Sequence, residues 1–269
     1  MLLAQPVYAA DVAVEVHQVL IPATPEDKLI ALTLDACSGG YDADLIQFLV
    51  DHRIPATLFV TRRWLQRQPG ALAVLRAHAD LFEIEDHGDR HVPAVIGAGR
   101  SVRGIAGNAN ANALRREVIG GALAITKATG TPPTWYRGAT GEYDPGAITI
   151  INKTGFQVAG FSLNADDGAT LPKKKIVQRI EHAQSGDIIL AHMNRPEADT
   201  AEGLAVGLQQ LLDRGFRFIT LRDAQVQFTS ETARRLPHRT PPAASPVAPT
   251  PAPRLIPESQ SEPVAESLL

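Results

Sequence analysis

The chain has 269 residues, 44% hydrophobic and 20% charged, enough to bury one large core, and α/β barrels of this length are commonly one domain. Lys and Arg number 26 against 29 Asp and Glu, for a net charge of -3, and the one basic run is Lys173-Lys174-Lys175, which argues against nucleic acid as a partner. Cys37 is the single cysteine, which excludes an intramolecular disulfide and a zinc finger and leaves the redox compartment open.

The start, MLLAQPVYAAD, lacks a charged leading region but carries the small-residue pattern Tyr8-Ala9-Ala10 that an export peptidase accepts. Two readings stand. One is the stump of a signal peptide, which places the protein in the periplasm or outside the cell. The other is a frayed apolar terminus, which leaves it cytoplasmic. Residues 1–25 are accordingly an N-terminal extension and 26–236 the main body. No stretch is long and apolar enough to span a bilayer.

Within the body, short β-rich runs alternate with longer helical patterns, which predicts βα units and a mainly parallel sheet. The runs are Leu29 to Asp35, Ala56 to Thr61, Leu81 to Glu85, Thr134 to Arg137, Gln157 to Ser162, Asp187 to His192 and Arg217 to Leu221. Seven such runs predict a barrel or a heavily curved sheet. Between them, Leu45, Ile46, Leu49 and Val50 share a helix face behind Asp42, a fair N-cap; Leu204, Leu208, Leu211 and Leu212 repeat the pattern up to Gly215. The run Asn108 to Ala113, NANANA, reads as a loop feeding a helix through Leu114 and Val118. From Pro237 to Leu269, prolines set among Ala, Ser and Thr cannot bury enough surface to offset ordering entropy, and the segment reads as a disordered or extended tail.

The reactive side chains fall where parallel α/β architectures collect their sites, at the C-terminal ends of strands. Asp35 ends the first run, His87 follows the third, Arg137 ends the fourth, Asn164 to Asp167 follow the fifth, and His192 ends the sixth. The richest element is His87-Gly88-Asp89-Arg90-His91. Gly88 and the Val92-Pro93 exit argue against an uninterrupted helix, so the two imidazoles converge through a turn, as a divalent metal requires. Isolated loop histidines are common. The five strand ends together favour function and metal-assisted hydrolysis.

In this order the motifs resemble those of the polysaccharide deacetylases, carbohydrate esterase family four, over roughly Leu29 to Leu221. The family's Thr-Phe-Asp-Asp-Gly appears as Thr33-Leu34-Asp35-Ala36-Cys37, and its His-Ser-x-x-His-Pro as His87 to His91 with Pro93 displaced by one. Its Arg-x-Pro-Tyr survives as Arg137 in Tyr136-Arg137-Gly138-Ala139-Thr140. Asp-x-x-Asp-Trp corresponds to Asn164-Ala165-Asp166-Asp167-Gly168, and Leu-x-His is intact as Leu190-Ala191-His192.

The resemblance implies a deformed (β/α) barrel of about seven parallel strands that removes N- or O-linked acetyl groups from a glycan with a divalent metal. Zinc is the first choice, and cobalt, nickel or another divalent ion the alternatives. It implies Asp35 as general base, Arg137 holding that carboxylate ionised, His192 as general acid and Asp167 orienting the His192 ring. Leu190 would line the acetate pocket and the Thr140 amide would face the oxyanion. His87 and His91 would bind the metal.

The second acid of the first motif, a metal ligand in the family, is here Ala36. Asp35 then becomes the favoured third ligand, with Asp42, Asp86, Asp89 or water as substitutes, although strand alternation turns Asp86 away from His87. Three other functions compete: a glycan-binding pseudoenzyme, a thiol hydrolase with Cys37 as nucleophile, and an amidase acting on a small C–N substrate. The oligomeric state is not legible.

Overall fold

The computed structural model describes residues 12–22, 24 and 26–236. The Tyr8-Ala9-Ala10 pattern and the Pro-rich tail lie outside the described residues. Among those described, no helix is long and apolar enough to cross a membrane.

Eight parallel strands form one curled sheet: β1 (Leu29–Ala36), β2 (Ala56–Val60), β3 (Phe82–Asp86), β4 (Trp135–Tyr136), β5 (Gln157–Val158), β6 (Leu163–Asn164), β7 (Ile188–His192) and β8 (Arg217–Ile219). Seven follow one path in the order β5-β4-β3-β2-β1-β7-β6, while β8 pairs with Leu29 to Ala31 of β1, ahead of the β2 pairing at Thr33 to Ala36. This is a deformed (β/α) barrel. The outer layer consists of α1 (Ala43–Asp51), α2 (Arg62–Arg67), α3 (Pro69–Ala77), α4 (Ala111–Thr129), α5 (Pro145–Lys153), α6 (Lys173–Glu181), α7 (Thr200–Asp213) and a terminal α8 (Ser230–Arg235).

Asp42 caps α1 as its position suggests, accepting from the Leu45 amide at 3.0 Å. The helix after NANANA begins inside that run, because Asn110 accepts from the Ala113 amide at 3.0 Å and starts α4 at Ala111. It ends on Gly130 in the left-handed conformation, φ +81°.

Strand alternation sorts the core into two layers. Ile30, Leu32, Leu34 and Ala36 of β1, with Ile189 and Ala191 of β7, pack on the helices around Leu45, Leu75 and Leu208. Ala31, Phe59, Ile188 and Leu190 form a smaller apolar group on the other face of the sheet.

The expected strand Gln157 to Ser162 is a strand only over Gln157–Val158, and a separate one begins just beyond it. β5 ends at Val158 and β6 starts at Leu163, and the two lie at opposite ends of the sheet. The intervening Ala159 to Ser162 crosses the gap, where the N-terminal segment meets it. His17 bridges Phe161 in parallel, and Gln18 donates to the Val158 carbonyl at 3.1 Å while accepting from the Gly160 amide at 2.7 Å. A Cβ on Gly160 would stand 2.3 Å from the Val16 carbonyl oxygen, so the close approach needs glycine. Part of the extension drawn through residue 25 pairs with strands outside the barrel sheet: Val14–Glu15 with Ala139–Tyr143, and Gln18–Leu20 with Val226–Phe228.

Candidate active site

The mouth at the C-terminal strand ends opens into a pocket of about 290 Å³ lined in part by Asp35, Cys37, His87, His91, Leu190 and His192. Alternation puts them there. On β1 the odd-numbered side chains turn from the helix layer, so Thr33 and Asp35 meet Arg137, and Cys37 follows in the same series. On β7 the same alternation turns the even-numbered Leu190 and His192, paired with Thr33 and Asp35, inward.

Arg137 is fully buried beneath the mouth. Its guanidinium donates to Thr33 Oγ1 at 2.9 Å, Asp35 Oδ1 at 2.8 Å and the Gly160 carbonyl at 2.9 Å, and lies 4.2 Å from the centroid of the Phe59 ring. Burial acts to raise the Asp35 carboxyl, but Arg137 first, then His87 and His192, outweigh it and hold it below the ordinary carboxylate range.

His192 donates through Nδ1 to Asp166 Oδ1 at 2.9 Å, and its backbone amide donates to Asp166 Oδ2 at 2.8 Å. Thr200 Oγ1 adds a third bond to that carboxylate at 3.1 Å. Burial acts to lower the His192 pKa; the Asp166 hydrogen bond and the Cys37 thiol prevail and hold it well above the usual histidine value. The orienting acid is therefore Asp166, not Asp167 as the motif alignment implied. The Ala165 amide bonds to the Leu190 carbonyl at 2.8 Å, which sets Asp166 buried beside His192, whereas Asp167 takes a left-handed turn, φ +50°, and is exposed at the rim.

His87 donates through Nδ1 to the Arg137 carbonyl at 2.7 Å. That bond fixes the tautomer and leaves the Nε2 lone pair facing the pocket, the arrangement a metal-binding histidine needs. The turn through Gly88 (φ +91°) and His91 (φ +64°) brings the two rings to 4.7 Å between centroids, edge to face. Ligand atoms of His87, His91 and Cys37 all lie within 4.8 Å of one another, and this donor set suits a divalent transition metal.

Asp35, expected as the third ligand, does not join that group. Arg137 holds its Oδ1, and its Oδ2 stands 3.6 Å from His87 Nε2. The substitutes are occupied elsewhere. Asp42 caps α1; Asp86 turns behind the sheet, where its Oδ1 accepts from the Gly88 amide at 2.8 Å; Asp89 pairs with Arg62 through Nη2 at 3.1 Å. Cys37 carried a weak signal: two residues beyond Asp35, it falls on the same face in period-2 register.

Leu190 and Thr140 both line the pocket. Thr140 has φ +72°, and its Oγ1 is buried with no hydrogen-bond partner among the described residues.

No curated protein matches the chain. Solved structures share its fold at low identity. A mutant of a carbohydrate esterase family four pseudoenzyme from Bacillus anthracis, described as having restored enzymatic activity, is 20% identical with a TM-score of 0.61, covering 74% of this chain and 68% of its own. PdaA of Bacillus subtilis, a family 4 carbohydrate esterase, is 21% identical with a TM-score of 0.62, over 78% of this chain and 84% of its own. A family 4 carbohydrate esterase from Bacillus anthracis is 24% identical with a TM-score of 0.55, over 74% of this chain and 83% of its own. The family model described as polysaccharide deacetylase matches residues 23–159. That span holds Asp35, Cys37, both histidines of the turn and Arg137, and it covers more than half of the sequence, so the chain belongs to the polysaccharide deacetylase family.

Proposed function

We propose that the protein is a metal-dependent hydrolase that removes N- or O-linked acetyl groups from a glycan. The observation that supports this best is the pairing of a base and an acid across one pocket: Asp35 held by Arg137 at 2.8 Å and His192 held by Asp166 at 2.9 Å. A divalent metal on His87 and His91 would supply Lewis acidity to the acetyl carbonyl and lower the pKa of water.

Asp35, kept ionised, accepts a proton through Oδ2 as the water oxygen adds to the acetyl carbon. His192 donates a proton through Nε2 to the leaving nitrogen or oxygen as its bond to that carbon breaks, giving acetate and a free amine or hydroxyl. Asp166 keeps Nδ1 protonated and the ring aimed. Leu190 gives the acetyl methyl an apolar wall.

The test is acetate release from a panel of N- and O-acetylated oligosaccharides, with and without chelator. Chelator-sensitive release that Asp35→Asn abolishes is the expected result; no release at any metal supplement rejects the enzyme reading.

Ala36 motivates a second reading, a glycan-binding pseudoenzyme, because the family's acidic ligand is missing there. It predicts saccharide binding without turnover. Retention of the held base and the held acid weighs against it, since binding alone requires neither.

A further inference from the structure

Cys37 is the chain's only cysteine, and it takes and gives no proton in the chemistry just described. β1 keeps its alternation to its end: Leu34 and Ala36 pack into the helix layer, and Ala36 still pairs with Val60. A carboxylate at position 36, in this register, would be directed at the helices. Position 37 is the next to face the mouth.

The thiol arrives at coordination distance. Cys37 Sγ stands 3.5 Å from His87 Nε2, and both lie within 4.8 Å of the His91 donor. A tetrahedral zinc with Zn–N of about 2.0–2.1 Å and Zn–S of about 2.3 Å sets its nitrogen and sulfur ligands about 3.5 Å apart. His87 is 1% exposed, and its Nδ1 is already committed to the Arg137 carbonyl, so Nε2 is the atom left to bind.

We propose that Cys37 is the third protein ligand of the metal, making a thiolate–bis-imidazole site in place of an acid–bis-imidazole one and leaving Asp35 unligated as the base. This deepens the deacetylase reading and rests on its metal requirement, not on its substrate. Three protein ligands leave a fourth position open to water or the acetyl oxygen, as a catalytic zinc needs. A thiolate also sets the metal preference: zinc, cobalt and cadmium over the hard magnesium, manganese and calcium.

The test uses the full chain, stripped with chelator and titrated with cobalt(II) and zinc. Stoichiometric cobalt should produce a thiolate-to-cobalt charge-transfer band in the near ultraviolet beside the visible bands of a four-coordinate ion. With one cysteine in the sequence, that band reports on Cys37 alone. Asp35→Asn should retain the band. Cys37→Ser should lose it and weaken zinc binding more than about 100-fold, beyond the range that changes outside the ligand shell produce.

Alkylation of the wild-type thiol gives a readout independent of any variant's folding. Iodoacetamide should label Cys37 slowly in the zinc form and rapidly once chelator is added. Metal-independent labelling would overturn the proposal, as would visible cobalt bands without charge transfer; either leaves the deacetylase reading standing. Failure to bind zinc or cobalt at all overturns both.

Discussion

Asp35–Arg137 and His192–Asp166 close at 2.8 and 2.9 Å, with further bonds to Thr33, Gly160, Thr200 and the His192 amide, whereas Cys37, His87 and His91 gather their donor atoms without closing. The contact of Cys37 Sγ with His87 Nε2 is 3.5 Å. The two halves of the mouth therefore obey different spacing rules. Groups that hold protons sit at hydrogen-bond distance from their partners. Donors that would share an ion stand farther apart, 3.5 Å for Cys37 Sγ and His87 Nε2 and within 4.8 Å for all three. The first half is closed by its own hydrogen bonds; the second has the open spacing of donors that could share an ion.

The comparison breaks most severely at Arg137. Arg137→Met leaves Asp35 as a buried carboxylate without its countercharge, a change worth about 3–5 kcal/mol, and should appear as a large fall in the urea midpoint together with loss of activity. The Asp35 carboxyl is lowered in the fold, so its contribution is present above the ordinary aspartate value and lost as pH falls through the folded one. In Arg137→Met that acid-side dependence should shrink or reverse. Asp35→Asn is milder for the fold because the amide oxygen still accepts from Arg137. It should cost about 10²–10⁴ in acetate release, measured at saturating metal, with a much smaller change in the urea midpoint.

The acid side is sharpened by two neighbouring substitutions. Asp166→Asn should lower turnover about 10²-fold or more by freeing the His192 ring, while Asp167→Asn should change it less than about twofold. The pH profile separates the two. A general acid works only while protonated, and His192 is held well above its ordinary value despite burial, so activity should persist past the usual histidine range and fall as pH rises through the elevated pKa. Asp166→Asn should move that descending limb to lower pH, and Asp167→Asn should leave it in place.

Much of this mouth was legible from strand-end logic alone. Asp35, His87, Arg137 and His192 each end or follow a periodic apolar run, and period-2 alternation predicts that they converge. Asp166 was not legible, because two adjacent aspartates differ only in which one the β6–β7 pairing buries, and pairing between strands joined by a long crossover leaves no local trace. The break after Val158 was hidden for a related reason: Gly160 reads as part of a strand until Val16, distant in sequence, is known to occupy the space of its missing Cβ. Cys37 lies between these cases. Its register was readable, but the register alone does not say whether β1 ends at Asp35 or at Ala36, and that one residue decides whether position 36 or 37 faces the mouth.

The smallest expected effect lies behind the metal half, and it tests how rigidly that half is built. Glu117 of α4 accepts through Oε1 from the Arg90 and Val92 amides at 2.8 and 3.0 Å, pinning the residues on both sides of His91. Its Oε2 makes no hydrogen bond among the described residues, and burial raises its pKa above the ordinary glutamate value. A group raised in this way favours folding below its unfolded pKa and forfeits that contribution as pH climbs through the folded value. Glu117→Gln keeps the accepting oxygen and cannot ionise, so its stability relative to wild type should increase from about pH 5 to about pH 8, by roughly 1 kcal/mol or less in urea unfolding. Zinc affinity should stay within about threefold, well inside the 10–100-fold span that loss of an outer-shell bond produces. A larger fall in affinity would mean that the charge of Glu117, and not its two bonds to the turn, sets the position of His91; the metal half would then depend on paired charge as the acid–base half does.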